Sequence, residues 1–275
     1  MLPQSHRREQ YPDGTGLRPR DRASGDPREG EAAVRRAGRL LGGATLLAGS
    51  LALACSAGRE LSRKERADRS FARRDWPAAI QDYQLYLEES GLGAEAMDAH
   101  FQLGRAYFEN GDYPTAAVEF EVFQRDYPRS DSLAAAAFYE ALAWVRQSPP
   151  YDRDATPTLK AIQMLADFLL DYPQSEQAAW AQRSLEALRA KLAKKSLAIA
   201  QLYERMERPQ AAVLYYEKLL REQPESQQAE TALLALIRLR LAQGERAEAE
   251  RLVARIQAER PDSELARRAQ ALLGP

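Results

Sequence analysis

Three kinds of side chain in this 275-residue sequence could do chemistry, and each is sparse or oddly placed. There is one cysteine, Cys55, and there are two histidines. A single thiol cannot close an internal disulfide, and two histidines without a second cysteine do not make the common zinc frameworks. His100 stands alone on a predicted helix and reads as a packing or surface residue. No glycine-rich phosphate loop, His-Glu-x-x-His or Gly-x-Ser-x-Gly occurs, so the usual phosphate, metallohydrolase and serine-hydrolase chemistries have no carrier. Carboxylates abound, but no pair stands out from a solvated helical surface. The expectation is a protein that is not an enzyme and needs no cofactor or metal. Two charged clusters remain. Lys191, Lys194 and Lys195 form a basic patch whose ordinary reading is a solvated helix face. Tyr151, Asp152, Arg153 and Asp154 crowd one loop, where Arg153 either pairs with a neighbouring carboxylate or serves a partner.

Cys55 gains meaning from what precedes it. Arg35, Arg36 and Arg39 lead into residues 40–54, which carry no charge. A basic start, a short apolar core and small residues before the cut describe a secretory signal peptide. The apolar run is too short to be a comfortable transmembrane helix. Ala52-Leu53-Ala54-Cys55 resembles the lipobox of bacterial lipoproteins, although Ala52 stands where that motif prefers leucine. The resemblance implies that the Cys55 sulfur is diacylated and that the residue becomes the new N-terminus. Residues 1–34, rich in Arg, Gly, Pro, Asp and Ser, are expected to be disordered or to follow a misassigned start. Residues 35–54 are then the signal peptide, 55–60 a lipidated tether and 61–275 the folded domain.

The whole chain has 39 basic and 40 acidic residues, which argues against a nucleic-acid binder with its basic stripe. Loss of residues 1–54 removes 9 basic and 6 acidic side chains, leaving 30 against 34. The domain is rich in Ala, Leu, Glu, Arg and Gln, a helical composition.

The elements that would position any site follow a repeat. Residues 97–130 read as two antiparallel helices joined at Gly111, a residue that takes a left-handed C′ conformation without strain. Asp112 can cap the second helix, with Pro114 in its first turn. Leu103, Gly104, Tyr107, Ala116, Phe120 and Pro128 fall at the offsets of a tetratricopeptide repeat. Gly104 and Ala116 are small so that two helix backbones can approach closely. The same alanine recurs at Ala79, Ala161, Ala212 and Ala249, in steps of 37, 45, 51 and 37. Pro-x-Ser ends four repeats at Ser130, Ser175, Ser226 and Ser263, and each serine can N-cap the helix that follows. The 45-residue step holds an inserted loop, SPPYDRDATP, in which Thr156 is the expected N-cap. The 51-residue step holds residues 175–207 without Gly or Pro. Ala181, Leu185, Leu188, Leu192, Ile199 and Leu202 make an apolar stripe there, interrupted at Lys195. That stretch is either one long helix or two nearly continuous ones. The fold class is all-α, a right-handed α-solenoid of about five tetratricopeptide-like hairpins.

A cysteine-anchored start, five such hairpins, two Asp-Tyr-Pro-x-Ser copies (residues 126–130 and 171–175) and the inserted loop occur together. In that combination the chain resembles the BamD family, lipoproteins of the outer-membrane β-barrel assembly machinery. The resemblance covers about residues 55–275. It implies anchoring on the periplasmic face of the outer membrane, docking on the periplasmic domains of BamA through the C-terminal repeats, and binding of C-terminal signals of unfolded outer-membrane proteins by the N-terminal repeats. Other accessory lipoproteins bind in some lineages. The alternative is a periplasmic repeat lipoprotein that scaffolds cell division, envelope maintenance or pilus assembly.

Helical projection places a groove on the first helices of the hairpins. Leu61, Lys64, Asp68 and Phe71 share one face, as do Asp98, Phe101, Arg105 and Phe108, and Ala135, Tyr139 and Leu142. Lys64 and Arg105 are expected to meet a peptide carboxylate, and the aromatics and leucines its apolar side chains.

Overall fold

The computed structural model describes residues 61–91 and 93–274. Residues 1–60, with Cys55, the apolar run and the tether, lie outside the described residues. Within them the fold is eleven α-helices and no strand. These are α1 (Arg63–Ala72), α2 (Trp76–Glu89), α3 (Ala94–Glu109), α4 (Tyr113–Asp126), α5 (Leu133–Gln147), α6 (Thr156–Asp171), α7 (Ala178–Arg205), α8 (Pro209–Glu222), α9 (Gln227–Ala242), α10 (Arg246–Glu259) and α11 (Glu264–Leu273). Each helix packs on its neighbours in sequence, with further contacts between α3 and α5, α7 and α9, and α9 and α11. That is the contact pattern of an α-solenoid, in which a hairpin buries its apolar face only by stacking on the next.

The repeat alanines mark the helix contacts. Ala79, Ala116, Ala161, Ala212 and Ala249 are all fully buried. Four residues on, Tyr83, Phe120, Leu165, Tyr216 and Val253 are buried to the same degree, at most 1% exposed. A Cβ added to Gly104 would lie 2.9 Å from the Phe120 ring, so the α3–α4 approach leaves no room for a side chain there.

Four of the five hairpins turn in one way. Arg74, Gly111, Glu207 and Gly244 all have positive φ, between +55° and +83°. The next amide in each case, at Asp75, Asp112, Arg208 and Glu245, donates to the carbonyl five residues back. This is the Schellman closure of a helix C-terminus. In the third hairpin the inserted residues between α5 and α6 take its place.

Caps follow the expectations in part. Asp75 and Asp112 accept from the amides of Ala78 and Thr115, 3.4 and 3.3 Å away. Ser263 caps α11 through the amide of Ala266 at 3.0 Å, and Ser226 stands at the N-cap of α9 without that bond. Ser130 and Ser175 are not N-caps. An extra turn follows each, closed by their hydroxyls accepting from the amides of Ser132 and Gln177, and the helices begin later. Thr156 is not a cap either; it is the first residue of α6, and Asp154 accepts from its amide and hydroxyl at 3.2 and 3.0 Å.

Residues 178–205 form one unbroken helix of 28 residues, with no break at Lys195. The buried stripe departs from the expected one. Ala181, Leu185 and Leu188 are buried, and then Ala193 and Ala200, while Leu202 is 46% exposed. The buried face rotates because α7 packs on α6 along one part and on α8 and α9 along the other.

Candidate functional site

The projected face of α1, α3 and α5 is a row of touching side chains. At its α1 end, Lys64 Nζ lies 2.7 Å from Asp98 Oδ2 and 3.1 Å from Asp68 Oδ2. Burial alone would lower the Lys64 pKa; the two carboxylates outweigh it and leave the ammonium above its ordinary value. Tyr83 Oη donates to the other oxygen of Asp68 at 2.7 Å. Burial, then that hydrogen bond, pushes the phenol well above its usual range. Lys64 is thus already balanced by two carboxylates, and the expected pair of open cations reduces to Arg105.

Arg105 lies at the centre of the row. Its guanidinium carbon is 5.1 Å from the Phe71 ring centroid on one side and 5.8 Å from the Tyr139 centroid on the other. Such a cation between π faces is held electrostatically as well as by packing. Nη1 donates to Gln102 Oε1 at 3.3 Å, while Nε is buried with no hydrogen-bond partner. No carboxylate pairs with Arg105 among the described residues. The row continues through Phe101 and Phe108, whose rings lie 6.2 and 5.6 Å from Tyr139, and Tyr139 stacks on Phe120 at 5.3 Å.

The structure therefore brings Lys64, Phe71, Phe101, Arg105, Phe108 and Tyr139 together. Leu61 precedes α1, its carbonyl accepting from Arg66. Leu142 is 7% exposed and belongs to the core of the second and third hairpins. Phe108 is 9% exposed, so it forms the floor of the row more than its lip. Trp76, edge-on to Phe71 at 5.1 Å, and Gln102 were absent from the projection. Only the position of Trp76 beside the Asp75 cap hinted at it. His100 is buried, with Nε2 3.0 Å from Glu119 Oε2 and its ring edge-on to Phe123 and Tyr127. It is a packing residue of the second hairpin, and no metal-holding cluster occurs among the described residues.

The charged loop does not pair within itself in the way local pairing of Arg153 would require. Asp152 and Arg153 are exposed, and neither makes a side-chain hydrogen bond or ion pair among the described residues, so Arg153 is not paired locally. Asp154 is spent on the start of α6. Tyr151 lies under Lys194, whose ammonium is 4.5 Å from the ring centroid. The lysines of α7 are not simply a solvated face: Lys191 and Lys195 reach the loop's main chain.

Fold and site define an all-helical repeat protein with a polar-aromatic row on its first three hairpins. The YfiO family of outer membrane lipoproteins matches residues 63–255, and the chain belongs to that family. The chain is 27% identical over 168 residues to the outer membrane protein assembly factor BamD of Vibrio cholerae, covering 58% of this chain and 70% of the relative. To BamD of Caulobacter vibrioides it is 24% identical over 192 residues, covering 70% of this chain and 63% of the relative, so it spans less than two thirds of that protein. Among solved structures, the TPR2AB domain of yeast Sti1 in its pHSP90 complex aligns with a TM-score of 0.37 and 15% identity, over 77% of this chain and 95% of that one. A Podosopora anserina kinesin light chain repeat protein aligns at 0.33 and 20%, over 74% and 96%. No described helix is long and apolar enough to cross a membrane.

Proposed function

We propose that the chain is a non-catalytic scaffold of outer-membrane β-barrel assembly, held to the periplasmic face of the outer membrane by lipid on Cys55. Its C-terminal hairpins dock on the periplasmic domains of BamA. Its aromatic row receives the C-terminal signals of unfolded outer-membrane proteins. Membership of the outer membrane lipoprotein family and the two assembly-factor relatives support the first statement. One observation carries the last: Arg105, without a carboxylate of its own, is fixed between Phe71 and Tyr139. A guanidinium presents a rigid fork suited to a carboxylate, and aromatics on either side suit the apolar side chains next to it.

The test is binding of a labelled peptide copied from a barrel protein's C-terminus. Arg105→Ala is expected to weaken it by about 1–3 kcal/mol, the range of an interface anchor, with helicity kept. Amidation of the peptide's C-terminus should remove most of the same increment. Wild-type affinity in both experiments would place the peptide site elsewhere.

A further inference from the structure

The apolar core of the solenoid is not continuous along α7. Ala181, Leu185 and Leu188 belong to the core shared with the second and third hairpins. Ala193 and Ala200 belong to a separate core shared with α8 and α9. Between Leu188 and Ala193 no α7 residue is buried. Non-directional apolar packing, the main force between stacked hairpins, is therefore interrupted at this seam.

A polar contact occupies the same place. Lys191 Nζ donates to Ser148 Oγ at 2.8 Å and to the Pro149 carbonyl at 3.1 Å. Lys195, one turn along, donates to the carbonyls of Tyr151 at 3.2 Å and Arg153 at 2.5 Å. Lys194 lies over the Tyr151 ring. Ser148 is itself bonded to Thr158, buried in the first turn of α6, at 2.6 Å. Two ammonium groups thus bind three main-chain carbonyls and one hydroxyl of a loop 42–44 residues away in sequence. No carboxylate pairs with either lysine among the described residues. Hydrogen bonds from a charged donor are about twice as strong as neutral ones. Because three of the four acceptors are backbone atoms, the contact fixes the loop's path and leaves the Asp152 and Arg153 side chains free.

We propose that Lys191, Lys195 and the loop of residues 148–155 form a brace that locks the solenoid across the seam in its core, holding the half that carries the aromatic row in a set relation to the half built by α8–α11. Hairpin three packs on α7 through α6, and the inserted loop adds a second, polar contact to the same helix. The burial that lowers the Lys191 pKa fits a group enclosed by the loop. The brace is independent of the peptide-binding role proposed above.

Hydrogen exchange of the full-length chain, read by mass spectrometry, tests this. Lys191→Met with Lys195→Met keeps the side-chain stems and the helix propensity and removes both ammonium groups. Amides in residues 151–156 and in residues 189–196 are expected to exchange about tenfold faster, while α3–α4 and α10 keep wild-type rates. Unchanged protection of the loop would overturn the clamp; a loosened loop with α7 still fully protected would overturn its bracing role. Should the double variant fail to fold, Lys195→Met alone decides in the same way: faster exchange in both segments supports the brace, and wild-type rates in either refute it.

Discussion

The two halves of the solenoid solve one packing problem with different materials. Up to α7 the helices meet through rings: Phe101, Phe120, Phe123, Tyr139, Phe138, Phe168 and Trp180 form a chain of edge-on, tilted and stacked contacts. From α8 onward the core is mostly aliphatic, Val213, Leu219, Leu236, Ile237, Val253 and Ile256 around the repeat alanines, with the buried ring of Tyr216 among them. The described aromatic contacts of that half reduce to the stack of Tyr203 on Tyr215. Ion pairs occur on both halves; in the second, Arg240 bridges Glu217 and Glu245, and Arg246, Arg251, Arg260 and Arg267 each hold a glutamate. Rings that line a core can also show an edge to solvent, as Phe101 and Tyr139 do. Peptide contact, as proposed above, falls to the first half, where such rings reach the surface, and docking to the second.

The contrast is sharpest at one pair of matched positions. Phe120 and Val253 each lie four residues after a repeat alanine and are at most 1% exposed. Phe120→Ala removes a ring that touches Gly104, Phe101 and Tyr139 and is expected to cost about 3–5 kcal/mol. Val253→Ala removes two methyl groups and is expected to cost about 2 kcal/mol. Urea unfolding of both variants checks the order. Equal losses would mean that the aromatic half gains nothing in stability from its rings.

These positions also show what the sequence made legible. The alanine ruler was readable because a close helix crossing excludes any larger side chain, and the bulky residue four places on fills the space beside it. Gly111 announced its turn by its type. Arg74 and Glu207 make the same turn and could not be read, since the closure is made by main-chain hydrogen bonds in a conformation their side chains disfavour. The α7 stripe misplaced Leu202 because a periodicity assumes one partner surface, and α7 has two. The aromatic row was readable as a helical face, but the second aspartate on Lys64, Asp98, depends on the spacing of α1 and α3. The lysine clamp was hidden most deeply: three of its four acceptors are backbone carbonyls, which no residue type marks.

A second test separates the halves by their carboxylates. Glu140, on α5 inside the aromatic half, is 9% exposed and receives only the amide of Gln124, at 2.8 Å. Burial raises its pKa against that hydrogen bond; Glu121 and Asp167 add to the rise and Lys160 opposes it. The folded chain therefore keeps this proton at pH values where the unfolded chain has lost it. The resulting stability is present in acid and is lost as pH rises from the ordinary value of 4.5 through the raised one. Glu140→Gln should then stabilise the protein at neutral pH, the gain shrinking as pH falls below that window. Glu245→Gln, which breaks a partly exposed ion pair with Arg240, should do the reverse and destabilise slightly at neutral pH. Thermal unfolding of both variants between acid and neutral pH reads the two signs; the same sign in both would dissolve the distinction.

The smallest expected effect concerns what the halves share. Each contains one hairpin turned by glycine, at Gly111 and Gly244, and one turned by a residue with a side chain, at Arg74 and Glu207. The closing hydrogen bonds are alike, from Asp75 to Ser70, Asp112 to Tyr107, Arg208 to Tyr203 and Glu245 to Arg240, all 2.9–3.0 Å. A residue with a Cβ pays about 1–2 kcal/mol for the left-handed conformation. Glycine avoids that cost but loses more freedom on folding, by about 0.5–1 kcal/mol. The difference favours glycine, so Arg74→Gly and Glu207→Gly should each stabilise by about 0.5–1 kcal/mol. Neither side chain makes a hydrogen bond or ion pair among the described residues, so little opposes the gain. The increments should be equal in the two halves and should add in the double variant, since the turns are far apart in the array. A gain at Arg74 with a loss at Glu207, measured by the same urea unfolding, would show that the turns differ in tension although they match in φ, and that the halves differ in backbone as well as in core.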